Sequence, residues 1–121
     1  MNLYEGTKGN YIVKKGKYKN YEYVIVSYGT HPCCYVEIPK DNILYKQDYD
    51  SDDMQDICCH GGLTFSDDRD FEDVEKFYIG WDYAHLNDHM EGCFDGYKWS
   101  LKELVSECKS VIEQVINLNS K

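Results

Sequence analysis

Ser100 and Glu103 carry the spacing of a helix capping box, with Trp99 and Leu104 placed as a hydrophobic staple around it. Behind them Leu101, Leu104, Val105, Cys108, Val111, Ile112 and Val115 recur at helical spacing, giving one apolar stripe. A helix of this kind needs a surface to cover its stripe, and the residues before it read as strands. Tyr21–Tyr28 is rich in β-branched and aromatic residues, and Gly29-Thr30-His31-Pro32 reads as a turn. Cys34–Ile38 is the returning strand, ended by Pro39, and Phe77–Trp81 is a further strand. Tyr11-Ile12-Val13 reads as a short edge strand flanked by protective lysines, and Lys40–Lys46 as a short helix or turn. Strands first and one long helix last predict an α+β fold. We expect a mostly antiparallel, twisted sheet of four to five strands packed by the C-terminal helix. At 121 residues the chain, 1–121, suits a single domain.

Charge narrows the function. Thirteen Lys and Arg stand against 22 Asp and Glu, a net charge of −9, which argues against a general nucleic-acid phosphate binder. The acidic residues concentrate in two segments read as loops: Asp48, Asp50, Asp52, Asp53 and Asp56, then Asp67, Asp68, Asp70, Glu72, Asp73 and Glu75 with Arg69. Six cysteines are many, yet Met1–Glu5 lacks the regions of a secretory signal, so reduced cytosolic thiols are expected. No apolar run approaches the length of a membrane span, so a soluble protein without membrane association is expected.

The candidate site is Cys59-His60-Gly61-Gly62-Leu63-Thr64 with Gly80-Trp81-Asp82-Tyr83-Ala84-His85-Leu86-Asn87-Asp88. Ile57–His60 and Leu63–Phe65 read as two halves of one strand, and the paired glycines between them mark a bulge or a close backbone approach. We expect His60 and Asp82 to face one another across a shared cleft, with His60, Gly61, Gly62, Thr64, Trp81, Asp82, His85 and Asp88 as ligand-binding candidates. An aspartate that accepts from an imidazole fixes its tautomer and raises its basicity, although the same pair also serves as an ordinary structural bond. Cys58 or Cys59, His60, Asp82 and His85 are all acceptable zinc ligands. The spacing speaks against them, since neither Cys-x-x-Cys nor His-Glu-x-x-His occurs, and neither a metal nor a cofactor is expected. Cys59 as a nucleophile with His60 or His85 as base lacks the electropositive setting a thiolate needs, so a buried apolar role is expected. Gly61-Gly62 is no phosphate-loop motif, though its amides could cradle an anion. Twelve tyrosines add rigid contact surface of the kind used in recognition, most of it expected in the core.

Cys34-Tyr35-Val36-Glu37-Ile38-Pro39, Asp48-Tyr49-Asp50, His60-Gly61-Gly62-Leu63-Thr64-Phe65 and Ile79-Gly80-Trp81-Asp82-Tyr83-Ala84-His85 with Asp88 resemble the ordered motifs of a family of small, uncharacterised bacteriophage proteins. The resemblance spans roughly residues 21–115. It departs at Cys33-Cys34, where the family has Cys-Gly, and at Tyr83, where it has a cysteine. It implies a phage or prophage origin and a host-cytoplasm location, and it supplies no activity. Small acidic phage proteins resemble antagonists of bacterial immunity, so the expected function is a non-catalytic binding protein. It would block a CRISPR-type effector through the acidic loops or sequester a nucleotide signal at the His60 turn. A small hydrolase using His60 or His85 with Asp82 or Asp88, and a phage structural accessory, are the alternatives. A homodimer through the edge strand or the helix stripe stays open beside a monomer.

Overall fold

Lys19 and Asn20 take φ of 51° and 70°, the left-handed pair that a two-residue hairpin turn requires. They join β1 (Ile12–Tyr18) to β2 (Tyr21–Ser27), which pairs with β3 (Pro32–Glu37) across the Gly29–His31 turn. After a long connection come β4 (Phe65–Arg69) and β5 (Lys76–Asp82), and α1 (Leu101–Asn119) closes the chain. The computed structural model describes residues 3–4, 12–71, 74–85, 88–89 and 96–120. Its sheet is antiparallel throughout, in the order β1-β2-β3-β5-β4. This is a single small α+β domain with one open five-stranded sheet and one long C-terminal helix.

The central strands are buried on both faces, which is why they read as continuous apolar runs rather than as alternation. Tyr23, Ile25, Cys34, Val36, Phe77, Ile79 and Trp81 join one core with the α1 stripe of Leu104, Cys108, Val111, Ile112 and Val115. Val24, Val26, Cys33, Tyr35 and Tyr78 form a second cluster that Phe71, from the β4–β5 connection, covers. Gly80 lies where a Cβ would sit 2.7 Å from the Tyr35 ring, so its bare backbone lets that ring lie across the sheet.

Two expectations are corrected. The segment 57–64 is not a broken strand: Gly61 and Gly62 stand at φ of 70° and 82°, His60 and Gly61 form a turn, and strand begins only at Phe65. Consecutive left-handed residues cannot keep a pleated ladder. The second acidic segment is not all loop, because Phe65–Arg69 is the edge strand β4, paired with β5 from Phe65–Gly80 to Arg69–Lys76. Its charged residues give it weak strand propensity, and the pairing with a buried neighbour overrides that. The first acidic segment carries a short 3-10 turn, Met54–Asp56, whose Met54 is buried in the helix-side core with Leu44 and Ile57. The edge strand near Tyr11 extends further than expected, from Ile12 to Tyr18, while Tyr11 itself lies outside the described residues.

Candidate functional site

Two side chains of α1, seven residues apart, hold the glycine turn in place. Gln114 exchanges bonds with both backbone groups of Cys58, at 2.7 and 2.8 Å, and Glu107 accepts from the His60 amide at 2.7 Å. Residues seven apart stand two helical turns along the same face. Beyond the turn, Thr64 N donates to Gly80 O at 2.9 Å, bringing the segment onto β5.

His60 is thereby delivered to the end of β5. Its ring stacks on Tyr83, with centroids 4.7 Å apart and planes 5° from parallel, and meets Trp99 edge-on at 5.0 Å. Its Nε2 lies 2.7 Å from Asp88 Oδ2. The Asp88 side chain is buried and fully engaged: Oδ2 also accepts from His85 N at 3.0 Å, and Oδ1 accepts from Trp99 Nε1 at 2.9 Å. Burial alone would raise this carboxyl, but the bonds from His60, Trp99 and the His85 amide outweigh it and hold Asp88 below the usual carboxylate range.

Asp82 turns to different partners. Its Oδ1 accepts from Ala84 N at 3.1 Å and its Oδ2 from Thr64 Oγ1 at 3.4 Å. His85 Nε2 lies 3.4 Å from Asp82 Oδ1, yet it is buried with no hydrogen-bond partner. The approach has the reach of an ion pair without the alignment of a hydrogen bond. Gly61 is the reason His85 fits. A Cβ there would overlap Nε2 and stand 2.6 Å from both flanking ring carbons. The rings of His60 and His85 lie 5.4 Å apart.

Of the eight expected residues, His60, Gly61, Thr64, Asp82, His85 and Asp88 come together. The pairing differs from the expected one, because His60 bonds Asp88 while Asp82 serves Thr64 and neighbours His85. Gly62 turns away to line a separate surface hollow of about 330 Å³ with Tyr49, Asp50, Met54, Gln55, Ile57 and Leu63. Trp81 is 1 % exposed within the helix-side core, its indole N–H donating to Tyr83 Oη at 3.0 Å, so it offers no face to a ligand. Glu107, Gln114 and Trp99 were missed as site residues. The polar pair bordering the apolar stripe of α1 was the available signal for the first two.

Ligand atoms of His60, His85 and Asp88 lie within 4.8 Å of one another, a set able to hold a metal ion. Cysteine is not part of it. Burial, with help from Glu107, pushes the Cys59 thiol up to about 12, the wrong direction for a nucleophile. Cys33, Cys34, Cys58, Cys59 and Cys108 are free thiols, and Cys93 lies outside the described residues.

No protein-family model, curated protein or solved structure matches this chain. Among the described residues no helix is long and apolar enough to cross a membrane.

Proposed function

We propose that the protein is a non-catalytic binding protein of phage type that antagonises host antiviral defence, offering an acidic edge to the basic nucleic-acid channel of a CRISPR-type effector. The observation that carries this reading is the junction of the two acidic segments. Tyr49 N donates to Ser66 Oγ at 2.9 Å and Lys46 pairs with Asp68, so the first acidic segment lies along edge strand β4. Between Asp48 and Asp70 the two segments carry eight aspartates against one arginine. A surface of one sign steers an oppositely charged partner and competes with nucleic acid for it. Nucleotide sequestration fits the site less well. A phosphate at the His60 turn would face the Asp82 and Asp88 carboxylates, and buried Trp81 cannot stack on a base.

The test is phage challenge of bacteria that carry defined defence systems and express the protein. Infection should be restored in a strain with an effector of this class. The variant Asp50→Lys, Asp53→Lys, Asp67→Lys, at three exposed positions, should abolish the effect, and His85→Ala should keep it. Full activity of the charge-reversed variant, once shown to be folded, would reject the acidic-edge reading.

The 2.7 Å contact of His60 with Asp88 favours a second reading. An imidazole oriented by a carboxylate is the usual form of a general base, here in a small hydrolase acting on a nucleotide or nucleic acid. Incubation with nucleotides and oligonucleotides decides it: products absent with His60→Ala support turnover, and intact recovery of every substrate removes it.

A further inference from the structure

We infer that His60, His85 and Asp88 form a binding site for one divalent transition-metal ion of the zinc type, with Asp82, whose Oδ1 lies 3.4 Å from His85 Nε2, as fourth ligand. The site is independent of the acidic edge. Three observations carry it. The ligand atoms of His60, His85 and Asp88 fall within 4.8 Å of one another, so sub-ångström to ångström shifts would bring them to the roughly 2.0–2.2 Å bonds of tetrahedral zinc. The His85 Nε2 atom is buried without a hydrogen-bond partner, a state that costs free energy unless a ligand fills it. The residues around the set are already fixed: the His60 ring by its stack on Tyr83, Asp88 by Trp99 Nε1 and the His85 amide, and His85 by its seat on Gly61.

The charge balance selects a cation. Two neutral imidazoles with the Asp82 and Asp88 carboxylates sum to −2, which a divalent ion neutralises. Imidazole donors favour zinc, cobalt or nickel over magnesium and calcium, which prefer all-oxygen shells. For the metal to bind His60 Nε2, the proton between that nitrogen and Asp88 Oδ2 must go: an imidazolium releases it to solvent, and a neutral ring carries it on Nδ1 instead, so His60 stays neutral. The residues come from two segments brought together by β5 and α1, which is why no short ligand motif announces them.

The experiment uses the full chain, dialysed against a chelator and then titrated with Zn²⁺ by calorimetry and with Co²⁺ by visible absorption. Wild type should bind one equivalent, give the absorption of four-coordinate cobalt, and gain Tm with zinc. His85→Ala, which removes a nitrogen that bonds nothing else, should lose all three responses while its circular dichroism stays native. Asp82→Asn should weaken binding by about 10–100-fold. His31→Ala, in the β2–β3 turn, should behave as wild type. Should His85→Ala prove unfolded, His85→Asn takes its place with the same expectation. No zinc binding by wild type, or undiminished binding by the folded His85 variant, would overturn the site.

Discussion

At Gly61 the backbone stands at φ 70° and the absent side chain is the space taken by the His85 ring, whereas Gly62, at φ 82°, has nothing within 4 Å of where a Cβ would be. Alanine at either position meets left-handed strain of about 1–2 kcal/mol. Only Gly61→Ala must also displace an imidazole. Urea denaturation should therefore show Gly61→Ala as clearly less stable than Gly62→Ala, and equal losses would contradict this placement of His85. The thiols give a second residue-scale expectation. Cys58 is exposed, while burial pushes Cys33 up to about 12 and the Cys59 thiol to a similar value. Alkylation with peptide mapping should label exposed Cys58 first and half-buried Cys59 more slowly, while buried Cys33, Cys34 and Cys108 react only on unfolding.

The helix is the element whose local chemistry acts most directly. Ser100 Oγ accepts from Glu103 N at 3.2 Å and Glu103 Oε1 accepts from Ser100 N at 3.0 Å, completing the capping box. Ser100→Ala should cost about 0.5–2 kcal/mol in chemical denaturation. The bond from the Ser100 amide, then that from the Tyr97 hydroxyl, holds the Glu103 carboxyl below its ordinary range. A carboxyl depressed in the folded state adds stability that is fully present above its unfolded pKa and is lost as pH falls through the folded value. The Tm gap between wild type and Glu103→Gln should thus be widest near neutral pH and close in acid. The same helix extends outward through Glu107 and Gln114 to clamp the glycine turn, a role that helical periodicity alone does not reveal. Strand β4 makes the opposite point, because Phe65–Arg69 is strand by virtue of its pairing with β5 and not of its own composition.

Across the whole molecule the strand order sets the charged edges apart from the core. Lys14, Lys17 and Lys19 lie exposed along the β1 edge and its turn, and Asp67 and Asp68 lie on the β4 edge, with the two-sided core between them. Trp81 belongs to that core, so Trp81→Ala should cost about 3–5 kcal/mol of a total that is commonly only about 5–15 kcal/mol, a loss readable in thermal unfolding. The sequence by itself determined the capped helix, the central strands and the α+β class, because periodicity and capping are local chemistry that short stretches express in full. It also named His60, Thr64, Asp82, His85 and Asp88 in one group of eight, of which Gly62 and Trp81 lie apart from the rest. Tertiary structure alone decided which carboxylate meets which imidazole. Trp99 and the His85 amide hold Asp88 against His60, while Thr64 holds Asp82 beside His85. Those pairings join groups up to 28 residues apart, through a left-handed turn with no periodicity to read, and only the packing of loop against helix and strand selects among them.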